Sequence, residues 1–324
     1  MAYLCVMNFK PNKRIVVGLL SLLVFADLVD TNVIELRVDR EYLERVGRNM
    51  KVVRKDMGLF RIHASPSAAD YQAQTHENVP TISENLDNLL EVFSPNMHLL
   101  QKVSYTQSYD SLSSKDLFDI LKKEKAIQYP ARHRFLDMLN IKYVASLRDN
   151  LEGSYHLLQY AKPTYLYRNE NVLPRSFLVP SHEIVPDHAA VLDRLISEEF
   201  DPLKTIYLEE DPGTLSNNSS GKTGEDGVEI LHYSPNKIRM RVSSSGNQWL
   251  FLSDTFYPGW KAVVNGHERK IFKANYSFRA VRVNAGSSEV EWSYDPPLFK
   301  IGLALSLLTL FGLLVLMVRK IRRR

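Results

Sequence analysis

Residues 249–318 read WLFLSDTFYPGWKAVVNGHERKIFKANYSFRAVRVNAGSSEVEWSYDPPLFKIGLALSLLTLFGLLVLMV, and they join an aromatic, turn-rich segment to a long apolar run. The Asn265-Gly266 pair favours the positive φ angles of a type I′ hairpin turn. Val290, Trp292 and Tyr294 alternate with polar residues, as in a half-buried strand. This pattern predicts a small antiparallel β-sandwich over residues 228–297.

The apolar run after the sandwich predicts a transmembrane helix over residues 298–318. Residues 301–318 contain eighteen positions without a charge, and Leu298 and Phe299 bring the apolar stretch close to the ~20 residues that span a bilayer. A buried core helix is the alternative. The basic tail of residues 319–324 favours the membrane helix, because cytoplasmic flanks are rich in Lys and Arg.

A second apolar run lies near the N-terminus, where residues 15–26 read IVVGLLSLLVFA behind Lys10, Lys13 and Arg14. It predicts a transmembrane helix over residues 15–30 after a cytoplasmic tail of residues 1–14, with a cleaved signal peptide as the alternative. Because basic residues flank both runs, both termini are expected in the cytoplasm. The region between them is expected outside the cytoplasmic membrane of a bacterium.

The distribution of charged residues along the chain agrees with this predicted membrane topology. The 324 residues carry a formal net charge of +4, from 41 Lys and Arg against 37 Asp and Glu. Eight of the basic residues lie in the two tails, which leaves 33 basic against 37 acidic residues in the remainder. Because a nucleic-acid partner requires a basic face, this acidic balance excludes that class of partner. The single cysteine, Cys5, excludes a disulfide within the chain.

The region between the predicted membrane helices divides at a linker. Residues 31–211 mix strand and helix patterns, which predicts an α+β domain. Helices are expected over residues 113–125 and 187–199, and short strands include residues 51–54 and 205–208. Residues 212–227, PGTLSNNSSGKTGEDG, have no apolar face to bury and predict a linker to the β-sandwich.

Two acidic residues just beyond the first apolar run are candidates for catalysis. Asp39 and Glu41 lie where a carboxylate of a membrane glycosyltransferase could deprotonate an acceptor hydroxyl or hold a metal. The alternative is that both carboxylates lie on a solvated helix face. No motif in the sequence indicates a resident cofactor or a metal site.

Aromatic residues concentrated in the β-sandwich are candidates for glycan binding, because aromatic faces stack on sugar C–H groups. They are Trp249, Tyr257, Trp260, Tyr276 and Trp292. The alternative is that these side chains fill the core or lie at the membrane interface. Arg279 is a further candidate: strand alternation points it away from Phe278 and Ala280, and its natural partner is a carboxylate or a phosphate.

Seven segments of the chain together match the pattern of a known family. They are FYPGWKA (256–262), VNG (264–266), ANYSFRAV (274–281), FKIG (299–302), LDMLNIKYV (136–144), LPRSFLV (173–179) and FDP (200–202). The most specific of these elements is Tyr-Pro-Gly-Trp-Lys at residues 257–261. By these segments the chain resembles the bacterial YfhO-like family of multispanning membrane proteins, from about residue 15 to residue 318.

The resemblance implies a GT-C-type glycosyltransferase that acts on cell-envelope glycopolymers with a polyprenyl-phosphate-linked sugar as donor. Compared with that family, this chain is expected to hold only the last core helix, the extracytoplasmic domain and the closing helix. The spans with the catalytic loop are expected to be missing from it, so the resemblance assigns no family catalytic residue to this chain.

Two functions remain open at this point. In the first, the chain is the membrane-anchored C-terminal portion of such a transferase, inactive alone, which positions an acceptor or completes the fold of the multispanning core or another membrane subunit. In the second, it is a stand-alone two-span surface module that binds envelope glycan or protein.

Overall fold

The computed structural model describes residues 45–69, 82–94, 101–106, 114–124, 131–213 and 225–322. The predicted N-terminal tail and membrane helix (1–30), Asp39, Glu41 and the centre of the linker (214–224) lie outside these residues. By its contacts the chain divides after Arg45, and the description below concerns the unit that begins at Val46.

The first half of this unit is a mixed sheet with flanking helices. Its helices are α1 (Arg48–Val53), α2 (Ile82–Glu91), α3 (Lys115–Glu124) and α4 (Ala131–Met138), and its strands are β1 (Arg61–Ala64), β2 (Ser104–Tyr105), β3 (Ile141–Ser146), β4 (Tyr155–Ala161) and β5 (Thr164–Asn169). The strand order is β2-β1-β3-β5-β4, with β1 parallel to both of its neighbours. Helix α1 packs Met50 and Val53 against Ile62 and Leu166 of this sheet.

The second half consists largely of strands. They are β6 (Ser176–Val179), β7 (Ser181–Ile184), β8 (Thr205–Leu208), β9 (Gly227–Ser234), β10 (Lys237–Ser244), β11 (Gln248–Thr255), β12 (Trp260–Val264), β13 (His267–Arg269), β14 (Phe272–Ala274), β15 (Phe278–Val283) and β16 (Gly286–Tyr294), with helix α5 (His188–Leu195) between β7 and β8. Helix α6 (Pro297–Arg322) ends the described chain.

These strands form two sheets that pack face to face. One sheet is antiparallel throughout, in the order β13-β12-β16-β10-β9, and the other has the order β6-β11-β15-β14-β8-β7. Between them lies a core that includes Val242, Leu250, Leu252, Val281 and Trp292. The opposite face of the six-stranded sheet packs against α3, α4 and α5. The predicted mixed α+β architecture is confirmed.

The Asn265-Gly266 turn has the backbone that its sequence predicts. Asn265 and Gly266 have φ values of 51° and 79°, the two positive angles that a type I′ turn requires. They join β12 to β13, in which Val264 pairs with His267.

Two features differ from the sequence-based expectations. Strands β6, β7 and β8 precede the expected linker, yet they share a sheet with β11, β14 and β15, which follow it. Strand periodicity carries no information about which strands pair. In addition, residues 51–53 belong to helix α1 and not to a strand, because the Glu91 carboxylate accepts the N–H groups of Arg48 (2.6 Å) and Asn49 (2.9 Å) and thereby caps the helix from a distant part of the chain.

Helix α6 is the one helix among the described residues that is long and apolar enough to cross a membrane. It has 26 residues, its most apolar window has a mean hydropathy of 2.6, and none of that window is buried within the protein. A helix of this length extends about 39 Å, which exceeds the ~30 Å hydrocarbon core of a bilayer. Its last turn carries Arg319, Lys320 and Arg322.

Candidate anion-binding site

Arg279 on β15 finds the carboxylate partner that its position in a strand predicts. Its Nη2 lies 3.2 Å from Oδ2 of Asp254, and its Nε donates to the Asp254 carbonyl at 3.4 Å. The guanidinium also lies 3.9 Å from the ring centroid of Trp260. Only 2% of Arg279 is exposed, so the side chain is held between a carboxylate and an aromatic face.

Asp254 reaches this position because β11 bulges. Leu252 pairs with Arg279 and Thr255 pairs with Phe278, so Ser253 and Asp254 are extra residues with no counterpart on β15. Such a bulge redirects side chains that regular alternation would place elsewhere.

Arg175 is a second buried arginine at the same carboxylate. Its side chain is 2% exposed, and its Nη1 lies 3.5 Å from Asp254 Oδ1. Its Nη2 lies 3.5 Å from the carbonyl oxygen of Phe60, and both contacts are at the outer limit of a hydrogen bond. The guanidinium lies 5.6 Å from the ring centroid of Tyr233. Arg175 is therefore buried with weak compensation for its charge.

Arg61, the third arginine, has hydrogen-bond acceptors at both of its Nη atoms. Its Nη1 donates to the Leu139 carbonyl (2.8 Å) and to Ser253 Oγ (3.0 Å). Its Nη2 donates to the Ser253 carbonyl (2.6 Å) and to Asp254 Oδ1 (2.9 Å). Burial and the neighbouring charge of Arg175 lower the pKa of Arg61 to about 10, against the opposing effect of Asp254. The group remains charged at neutral pH.

Tyr233 on β9 completes the surroundings of the carboxylate. Its hydroxyl donates to Asp254 Oδ2 at 2.9 Å. Burial, followed by the charge of Asp254, raises the pKa of Tyr233. Its hydroxyl is therefore a neutral donor at physiological pH.

We call Arg61, Arg175, Arg279 and Asp254 the arginine cluster. Three guanidinium groups share one carboxylate, so the cluster carries an excess of two positive charges. Within the described part of the chain, Arg175 Nε and Arg279 Nη1 are buried without a hydrogen-bond acceptor. Buried charges and donors are costly unless they are paired. The arrangement can bind an anion, because guanidinium groups match oxyanions in geometry and charge.

The sequence-predicted aromatic residues lie in different environments. Trp249 and Trp292 are 1% and 0% exposed and belong to the hydrophobic cores, and Tyr276 is 5% exposed and stacks on His188 with ring centroids 3.9 Å apart. These three side chains present no face to a surface glycan. Tyr257 is 57% exposed, and Trp260 is half-buried. Of the predicted residues, Arg279 lies in the cluster, with Trp260 at 3.9 Å and Trp292 at 5.6 Å from its guanidinium.

Sequence reasoning did not identify Arg61, Arg175, Tyr233 or Asp254 as site residues. A signal was present for two of them. Arg175 immediately precedes the strand of residues 176–179, and Asp254 lies two residues after the apolar run of residues 249–252. A charge inside or beside a buried strand needs a partner, which indicates a polar cluster but not its members.

Trp260 links the cluster to the beginning of α6. Its ring centroid lies 5.5 Å from that of Tyr294, the last residue of β16. Beside Tyr294 is a groove of about 1010 Å³ whose lining includes Tyr257, Pro258, Pro296, Phe299 and Leu303. The groove therefore adjoins the first turns of the helix that is suited to a membrane.

Comparison with known proteins finds a family match for the region that contains Asp254 and Arg279 of this cluster but not Arg61 or Arg175. Residues 208–306 match the family model described as "Bacterial membrane protein YfhO". The chain is 29% identical over 108 residues to "Uncharacterized protein YfhO" of Bacillus subtilis (strain 168), a match that covers 33% of this chain and 12% of that protein. No solved structure matches the chain. Over this shared region, the chain is similar to bacterial membrane proteins of the YfhO family, and it spans only a small part of the length of the relative that it matches.

Proposed function

We propose that this chain is the membrane-anchored extracytoplasmic part of a YfhO-like cell-envelope glycosyltransferase. The observation that carries the proposal is the extent of the family match, which begins at the end of β8, includes every strand from β9 to β16 and continues into α6. The shared unit is therefore a β-sheet domain joined to an apolar helix. This is the construction expected of a domain that works at the surface of a membrane.

The orientation in this proposal rests on the charges at the end of α6. Arg319, Lys320 and Arg322 follow the apolar part of the helix, and basic residues are retained on the cytoplasmic side. A single crossing then places the sheets on the outer face of the cytoplasmic membrane, where lipid-linked sugars are transferred to envelope polymers.

We propose that the domain has a positioning role and does not itself catalyse sugar transfer. Catalysis and the polyprenyl-phosphate-linked donor belong to a membrane-embedded part, in the same polypeptide or in a separate subunit. The domain positions the acceptor polymer or completes the fold of that part. Because Trp249, Tyr276 and Trp292 are buried, we propose that these aromatic residues stabilise the fold and do not form a glycan-binding surface.

A chimera in Bacillus subtilis tests this proposal. The gene of the YfhO relative is deleted, and the sugar substituents of the envelope polymers are measured by NMR. A copy of the relative that carries residues 208–306 of this chain in place of its own matching segment is then introduced. The proposal predicts that the deletion removes a sugar substituent and that the chimera restores it.

The outcome that contradicts the proposal is an envelope whose sugars are unchanged by the deletion. Failure of the chimera to restore the sugar, although it is present in the membrane at normal abundance, also contradicts it. As a control, the same chimera with Gly259→Val should fail, because a Cβ at Gly259 would lie 3.1 Å from Cβ of Pro296.

A further inference from the structure

We infer that the arginine cluster is a binding site for a phosphate group. The inference goes beyond the proposed transferase role and does not depend on it, because it rests on the charges and donors of the cluster alone. The phosphate belongs either to a lipid headgroup or to a soluble phosphate compound, and both present the same oxyanion.

The first argument is the charge. Asp254 is the one carboxylate that contacts the three guanidinium groups among the described residues. A protein that buries two uncompensated positive charges loses stability unless an anion accompanies them. A phosphate monoester carries up to two negative charges near neutral pH and offers several acceptor oxygens, so its charge matches the excess.

The second argument is the placement of the free donors. Arg175 contacts Oδ1 of Asp254 and Arg279 contacts Oδ2 of the same residue. The two guanidinium groups therefore flank a single carboxylate, and we expect one tetrahedral anion beside that carboxylate to contact both. Among the donors of the cluster, Arg175 Nε and Arg279 Nη1 are buried without an acceptor in the part of the chain that the structure describes. Both Nη atoms of Arg61 are hydrogen-bonded within the protein, so we expect Arg61 to contribute mainly its charge.

The third argument concerns access. Arg175 and Arg279 are almost fully buried, whereas Tyr233 is 37% exposed. Tyr233 lies over the Arg175 guanidinium and donates its hydroxyl to Asp254. We expect a phosphate to enter beside this ring and to meet Arg175 first, while the single hydroxyl hydrogen of Tyr233 stays on Asp254. Trp260 lies over the Arg279 guanidinium and contacts Tyr294, which lines the groove beside α6. The cluster is therefore connected through one aromatic residue to the part of the protein nearest the apolar helix.

The test uses the full chain in a nonionic detergent and measures the thermal midpoint by tryptophan fluorescence. The protein is heated in sodium chloride, sodium phosphate or sodium acetate at equal ionic strength. Phosphate is expected to raise the midpoint, and acetate is not. Mixed micelles that contain phosphatidic acid, a lipid with a phosphate monoester headgroup, form a second arm. A shift in this arm alone assigns the phosphate to a lipid, and a shift with inorganic phosphate alone assigns it to a soluble compound.

The variant Arg175→Met distinguishes a ligand-binding role of Arg175 from a structural role. If Arg175 serves a ligand, the variant loses the phosphate shift but melts no lower than the wild type in chloride, since it removes a poorly paired buried charge. If Arg175 is structural, the variant melts lower in every buffer. The matched control is Arg241→Met, which removes an exposed arginine paired with Glu229 and should keep the full phosphate shift.

Calorimetric titration of phosphate into the wild type and Arg175→Lys provides a second measurement in case the Met variant does not fold. Lysine keeps the charge but loses the Nε donor and the planar fork. We expect about tenfold weaker binding, as for the loss of one hydrogen bond to a charged group. The inference is overturned if the wild type shows no phosphate effect in either arm, if acetate acts equally, or if Arg175→Met or Arg175→Lys responds as the wild type does.

Discussion

The guanidinium of Arg279 lies 3.9 Å from the ring centroid of Trp260, and the same indole contacts Tyr294 at 5.5 Å. Tyr294 ends β16, and α6 begins at Pro297. Trp260 therefore connects the buried arginine cluster to the strand that leads into the apolar helix. The same residue belongs to the Tyr-Pro-Gly-Trp-Lys element that is most specific to the family resemblance.

Replacement of Trp260 should show how much its contacts contribute to the stability of the protein. Trp260→Ala removes a cation–π contact worth about 0.5–2 kcal/mol and additional packing. We expect its thermal midpoint to fall, and Trp260→Phe should recover part of the loss. Tyr257→Phe, at an exposed neighbouring ring, is the control and should melt within error of the wild type. Equal midpoints for Trp260→Ala and the wild type would contradict this assignment.

Gly259 is expected to tolerate no side chain. Its φ is 103°, and an added Cβ would lie 3.1 Å from Pro296 Cβ and from Tyr294 Cε2. We predict that Gly259→Ala lowers the free energy of unfolding by about 1–3 kcal/mol, as strained backbone positions do. Gly246→Ala, where no atom lies within 4 Å of the new Cβ, serves as the control. Chemical denaturation in detergent measures both, and similar losses for the two variants would argue against the close approach.

Glu91 should be essential to helix α1. It is 4% exposed and accepts the N–H groups of Arg48 and Asn49. Glu91→Ala leaves both donors without their acceptor, and each hydrogen bond to a charged group contributes about 1.5–3 kcal/mol. Glu91→Gln keeps one acceptor oxygen and should lose less. Hydrogen exchange at residues 48–53 measures the effect. Unchanged protection of these amides in Glu91→Ala would exclude a capping role.

Asp137 should make stability depend on pH. Burial raises its pKa to about 6, against the hydrogen bond from Asn169 at 2.6 Å. Since the folded pKa exceeds the unfolded value near 3.8, the folded state disfavours the ionised form, and stability falls as pH rises from about 4 through 6. Asp137→Asn cannot ionise, so its stability relative to the wild type should increase between pH 4.5 and pH 7.5.

Asp201 is a control, because its pKa is shifted in the opposite direction and its effect on stability should therefore change with pH in the opposite sense. Burial opposes its ionisation, but Lys204 at 2.9 Å and the N–H of Leu203 outweigh that effect and lower its pKa. Asp201→Asn should therefore be less stable than the wild type at neutral pH, and the difference should shrink as pH falls through the lowered pKa. Thermal midpoints from pH 2 to pH 8 check both variants. A pH-independent difference for Asp137→Asn would contradict the raised pKa.

Local features of the fold could be predicted from the sequence because neighbouring residues determine them. The Asn265-Gly266 turn follows from backbone preferences, and helix α5 begins after Asp187, whose side chain accepts the N–H of Ala189 as an N-cap. Long-range pairing could not be predicted in this way. Strand β8 is followed by the predicted linker, but Ala274 of β14 pairs with its Leu208, and no local pattern specifies that partner.

Most of the arginine cluster could not be predicted from local sequence patterns either. The position of Arg279 in a strand indicated a buried charge that needs an acidic or phosphate partner. The position of its partner, Asp254, depends on a bulge in β11. The other two arginines of the cluster, Arg61 and Arg175, lie in distant parts of the sequence. Sequence patterns can therefore identify one member of such a site, whereas the pairing of three separate segments assembles it.

The central claim, that a domain outside the cytoplasmic membrane is anchored by α6, is tested most directly by cysteine labelling. In a Cys5→Ser background, single cysteines are introduced at Glu268 in the exposed strand β13 and at Lys320 in the last turn of α6. Intact spheroplasts are treated with a membrane-impermeant maleimide. We predict that Glu268→Cys is labelled at once and that Lys320→Cys is labelled only after permeabilisation. Equal labelling of both positions from outside, or the reverse pattern, would contradict the account.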